Sequence, residues 1–191
     1  MKNPKGYEIT ALNPGWIHKE IRDKDKDIDF FRIILFYVIN TPCIELSTSS
    51  LPMSHYGWKS KVWKDSKLKD ELFSIAKLKR GTTYIAVKKT DEMKKACDKA
   101  SLKRKFHDDR DVERIVVYKS KYNEFLSICY HLRNALAHGR FQIYENTNKE
   151  PVFAIEDGVK INGDFYVRSR MVLKKATLIS WINIIEHKCI K

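Results

Sequence analysis

The chain has 191 residues, 43% of them hydrophobic and 12% aromatic, enough to build one cored domain, or one with a small appended module. Its 37 Lys and Arg stand against 24 Asp and Glu, a net charge of +13, which favours polyanionic partners, RNA or DNA first; a Lys-rich solvated surface is the plain alternative. The longest apolar run, residues 30 to 39, contains Arg32 and is too short to span a bilayer. No apolar leader opens the chain, and Cys43, Cys97, Cys129 and Cys189 include no CxxC pair. The expectation is a cytoplasmic protein with reduced cysteines and no membrane partner.

Residues 1 to 26 are polar and broken by Pro4 and Pro14. A charge run, RDKDKDID, leads into a helix over about 28 to 40, stopped by Pro42. Residues 45 to 58 read as loop. Leu68, Leu72, Ile75 and Leu78 recur at helical spacing over 64 to 80, with Gly81 as the stop. TTYIAVKK, at 82 to 89, reads as a short strand, and 91 to 105 as a basic helix. The strongest helical period runs from about Asp109 to His138, through Val112, Ile115, Val116, Tyr122, Phe125, Leu126, Cys129, Leu132 and Leu136. After Gly139 the period changes. Residues 140 to 145 and 151 to 157 form a β-hairpin around a turn at Asn146 to Lys149, GDFYVRS adds strand character, and a last helix spans about 171 to 187.

The stretch ICYHLRNALAHGRF carries the chemistry. With Cys129 at the centre of the core face, Asn134 and His138 fall roughly 140° and 180° away, and Arg133 sits at the border. Reading back from His138, the far face holds Asn134, His131, Ser127, Asn123 and Ser120. It is polar yet almost uncharged in a chain with 32% charged residues. Something must therefore cover it: another helix, a partner subunit or substrate. The bland reading is capping, in which Arg133, Asn134 and His138 serve the helix C-terminus and Gly139 takes the left-handed position that ends it.

An Arg-x4-His pair ending a helix, with Asn directly after the Arg, resembles the signature of the HEPN superfamily, and RNALAHG at 133 to 139 is close to the form in its bacterial ribonucleases, toxins and phage-defence proteins. The resemblance covers roughly residues 109 to 190. It implies a mainly α fold: a HEPN-like helical bundle over 91–191 with a small β-hairpin insertion. The N-terminal region, 1–90, stays outside it as an α/β segment whose helix, broken helix, helix and strand have a winged-helix order. It also implies a homodimer through the motif helix and a composite endoribonuclease site that needs no metal or other cofactor. Arg133, Asn134 and His138 would be catalytic; Arg140, His131 and Ser127 would contact RNA, either tRNA or mRNA. An antitoxin or other regulatory protein would be a further partner. The chain departs from one toxin subset, which has Tyr two residues after the His; here that position is Arg140.

The residue types suit metal-free RNA cleavage. The 2′-OH must lose a proton, the 5′-oxygen must gain one, and the phosphorane charge must be held. Histidine titrates near neutrality, and a guanidinium grips two phosphate oxygens as a fork. A zinc site fits poorly, since His131 and His138 lie about 10 Å apart along a helix with no Cys or carboxylate cluster beside them. His18, His55, His107 and His187 have no matching partners in spacing. The rival class is a non-catalytic nucleic-acid-binding protein that dimerises through the bundle and binds through 28 to 89. There Trp58 and Trp63 stand among lysines, although core anchoring of both tryptophans is the simpler reading.

Overall fold

The computed structural model describes residues 28–41, 57–58, 61–103, 106, 109–119 and 123–190. The expectations for residues 1 to 26 and 45 to 56, and for Cys43, Ser120, Tyr122, His18, His55 and His107, lie outside these. In chain order the elements are α1 (Ile28–Ile34, continued by the π-helical Leu35–Asn40), a 3-10 turn (Lys61–Lys64) into α2 (Ser66–Ile75), β1 (Tyr84–Val87), α3 (Met93–Lys99), β2 (Arg114–Tyr118), α4 (Glu124–Ala137), β3 (Phe141–Glu145), β4 (Pro151–Ile161), β5 (Asp164–Lys174) and α5 (Lys175–Ile185, continued by the π-helical Glu186–Ile190).

The strands form one five-stranded mixed sheet in the order β1-β2-β5-β4-β3. Only β1 and β2 are parallel, joined by the crossover that contains α3; every other pair is antiparallel. Two apolar clusters fill its two faces. On one, Ile115, Val117, Phe153, Ile155, Met171 and Leu173 meet α1, α2, α4 and α5. On the other, Val116, Ala154, Val167 and Val172 meet α3 and Phe106. The alternation along each strand therefore buries both sides, as a sheet covered by helices requires.

This α/β architecture corrects the mainly α expectation. The hairpin is no small insertion: β4 and β5 run eleven residues each and β5 is the middle strand. Residues 114 to 118 are the reason for the error. RIVVY is a β-branched run buried on both faces, so it shows no period-2 alternation, and its apolar residues happen to fall in step with the helix that follows. The last helix likewise starts at Lys175, because Met171 to Lys174 complete β5. The winged-helix reading also fails, since the strand it needed as a wing, β1, is hydrogen-bonded to β2 inside the common sheet. That pairing crosses the division expected at residue 90, and one cluster joins Ile33 and Leu72 to Ile182 and Cys189. α2 stops at Ile75, not Gly81: Leu78 N–H reaches back to Phe73 O, and Lys77 takes the left-handed φ of 50°. Trp58 is a buried core anchor whose Nε1 donates to Asn40 O at 2.8 Å, and Trp63 packs on the same core.

α5 shows why the helical layer holds. Leu178, Trp181, Ile182 and Ile185 are buried, each contributing about 1.5–3 kcal/mol. Its N-terminus is tied to β2 by the buried Glu113 carboxylate, which accepts from Lys174 N at 2.7 Å and Thr177 Oγ1 at 2.9 Å.

Candidate functional site

α4 carries the Arg-Asn-x-x-x-His group and lies on the sheet. Asn123 starts it, with Oδ1 accepting from Leu126 N at 2.8 Å, the ordinary side-chain N-cap. The other end closes through its backbone. His138 N donates to Asn134 O at 3.0 Å, Gly139 N to Leu136 O at 3.2 Å and Arg140 N to Ala135 O at 2.8 Å. Gly139 has φ 63°. This pair of bonds around a left-handed glycine satisfies the last carbonyls. The capping reading therefore fails for the side chains: Arg133 Nη1 donates to Asn134 Oδ1 at 3.2 Å, and the His138 ring is exposed at the helix end.

The polar flank of α4 is covered, as its composition demands, but the cover is the chain's own sheet. Ser127, His131 and Asn134 are buried. Ser127 Oγ donates to Asn123 O at 3.0 Å. His131 Nε2 lies 2.8 Å from the Tyr118 carbonyl, and its Nδ1 lies 2.6 Å from Asp157 Oδ2. A carbonyl only accepts, so Nε2 holds a hydrogen, while Nδ1 shares a proton with the carboxyl. This clamp pins the middle of α4 to the end of β2 and the middle of β4. Ser127 and His131 thus stand away from the surface on which RNA contacts were expected.

The register shift between Asp157 and Gly158 sits beside this clamp. Asp157 pairs with Ser169 and Gly158 with Val167, so Arg168 is the extra residue of a bulge. Arg168 lies over the Tyr118 ring, 5.5 Å from its centroid. On the opposite sheet face Glu156 is fully buried between two arginines. Arg170 Nε and Nη2 reach Glu156 Oε2 at 2.9 and 2.8 Å, and Arg140 Nη2 reaches Oε1 at 3.0 Å. Burial pushes the Glu156 carboxyl above the ordinary range, while the guanidinium groups pull it back. Arg140 also lies 5.7 Å from the ring centroid of the half-exposed Phe165, as does Lys160 Nζ.

Arg133, Asn134 and His138 thus stand at the C-terminal end of α4, while Arg140, just past it, turns to Glu156 on the opposite sheet face. The Nε atoms of Arg133, Arg140 and Arg168 are all buried with no hydrogen-bond partner, as is Ser169 Oγ. The sequence reading missed Asp157, Glu156 and Arg168. Their signal is IEDG, two acids and a glycine inside an otherwise apolar strand, where buried charge demands a partner. Among the described residues no three His, Cys, Asp or Glu side chains are grouped to hold a metal ion, and no helix is long and apolar enough to cross a membrane. Set against family models, curated proteins and solved structures, the chain matches none of them.

Proposed function

We propose that the chain is a metal-independent endoribonuclease that works through Arg133 and His138 in the manner the HEPN resemblance implies, as a toxin or phage-defence effector. The supporting observation is the exposed His138 at the end of the helix that also carries the half-buried Arg133, whose guanidinium is bonded to Asn134. In the reaction the RNA 2′-oxygen attacks the adjacent phosphorus as His138 takes its proton. The phosphorus–5′-oxygen bond breaks and the 5′-oxygen is protonated, leaving a 2′,3′-cyclic phosphate and a 5′-hydroxyl. Arg133 holds the non-bridging oxygens where charge accumulates. Asn134, buried and bonded to the Arg133 guanidinium, is a positioning residue. A second copy of the chain supplies the second histidine, and RNA is the partner expected from the basic charge.

The test is cleavage of tRNA and total RNA in EDTA by wild type and His138→Ala, with end-group analysis. Cyclic-phosphate ends from wild type alone support the proposal; equal cleavage by both proteins overturns it. The patch of Phe165 with Arg140 and Lys160 favours a second reading, RNA binding without cleavage. That reading gains if neither protein cuts RNA and both retain it.

A further inference from the structure

α1 carries apolar residues on two opposite sides, with Asp29 and Arg32 its charged groups. One side buries Ile33, Phe36 and Tyr37 in the core, with Tyr37 Oη donating to Leu178 O at 3.1 Å. The other side leaves Ile28 79%, Phe31 55%, Leu35 57% and Ile39 62% exposed. These four follow one another at intervals of three, four and four residues, which sets them in a single stripe about 15 Å long. An apolar helix face of this kind in a soluble domain is ordinarily covered.

We infer that the stripe is the contact between two copies of this chain, packed as antiparallel α1 helices about a two-fold axis. The pattern reads nearly the same in both directions. An antiparallel pair sets Ile28 against the second copy's Ile39 and Phe31 against the second copy's Leu35, so every apolar residue meets an apolar residue. That self-complementarity is what a two-fold interface requires. Side chains of this size carry on the order of 150–250 Å² when free, so the stripe offers roughly 400–600 Å² per copy. The pair then buries roughly 800–1,200 Å², at the lower edge of a specific interface. A lipid surface fits less well. The charged groups of α1 are Asp29 and Arg32, one of each sign; Arg32 is already bonded to Asn183 Oδ1 and Glu186 Oε2 at 2.6 Å. α1 itself carries no lysine for anionic headgroups. The seam is separate from the polar flank of α4, which the sheet occupies, and from the paired histidines of the ribonuclease reading; that second contact forms on RNA, so samples without RNA read the α1 seam alone.

Sedimentation equilibrium of wild type, Phe31→Glu and Leu35→Glu at micromolar concentrations tests it, with melting curves on the same samples and RNA excluded. Both positions are exposed, so the fold should survive. The expected result is a wild-type dimer, monomeric Glu variants and unchanged melting of the variants at dilutions where wild type is also monomeric. If a Glu variant misfolds, Leu35→Ala replaces it and should weaken self-association about tenfold or more. A wild type that stays monomeric at tens of micromolar overturns the inference, whether or not it binds vesicles. So does a dimer that persists unweakened in all three variants.

Discussion

Glu156 and Arg170 can be replaced by Leu and Met, singly and together, to ask what the buried charges contribute. Both side chains are fully buried, and they meet through two contacts of 2.8 and 2.9 Å. Glu156→Leu leaves the Arg170 guanidinium inside the sheet–α3 layer with backbone carbonyls as partners, Leu102 O at 3.0 Å and Lys103 O at 2.8 Å. Arg170→Met leaves Glu156 to Arg140 and deprives both carbonyls of a donor. Stranding one member of a buried pair costs about 3–5 kcal/mol. The double variant strands neither member of this pair; it loses the carbonyl bonds and leaves the part-exposed Arg140 without its carboxylate, together about 1–3 kcal/mol. It should therefore be more stable than either single variant. Urea unfolding near neutral pH, with an unchanged denaturant slope, reads this directly. A double variant that loses the sum of the two single losses would refute the reasoning, because charge compensation would then not be what holds the pair.

Arg133→Lys should lose RNA cleavage while melting like wild type, since an ammonium cannot span two phosphate oxygens; full activity would count against the phosphate-gripping role. Asp157→Ala should lower stability by about 1–3 kcal/mol, because it strands the His131 ring between α4 and the sheet; a loss below about 0.5 kcal/mol in urea would remove the clamp from the account. Thr147, through its hydroxyl and its backbone N–H, holds the Asp111 carboxyl below its ordinary range. A depressed carboxyl adds stability above its unfolded value of about 3.9 and loses it as pH falls through the folded value. Asp111→Asn should thus lower Tm at about pH 6 and converge with wild type at about pH 2; a gap independent of pH would contradict this. Burial pushes the Cys97 thiol up to about 12 and raises Cys129 as well, so peptide mapping after alkylation of the native protein should find both unlabelled. Labelling of either without denaturant would show that its site opens.

Helices were legible where one face is buried and the other wet. α2 and α4 carry that signature in Leu68 and Leu72, and in Phe125, Cys129, Leu132 and Leu136. The β3–β4 hairpin was legible because its turn, at Asn146 to Lys149, breaks the pattern. β2 and the second half of β5 were not. In a strand covered on both faces, Ile115, Val116 and Val117 are all apolar, and alternation disappears. Arg170 then breaks the apolar run for a reason the sequence conceals, since its partner Glu156 is fourteen residues away and becomes its neighbour only by cross-strand pairing.

At the end of α4 the sequence supplied the residues but not the arrangement. Polar residues on the far flank implied a cover; that the cover is β2 and β4 depends on Asp157 facing His131, a pairing set by register. The capping alternative was decided by atoms that every sequence shares. Three backbone N–H groups and a left-handed glycine close the helix, and they would do so with alanine at 133, 134 and 138. The fold therefore does not require Arg133 or His138 in order to end its helix. It also tolerates buried, unpartnered Nε atoms on Arg133, Arg140 and Arg168, each a cost that an apolar side chain would avoid. Arg140 offsets that cost through its ion pair to the buried Glu156, whereas the Arg133 guanidinium meets the neutral Asn134 amide.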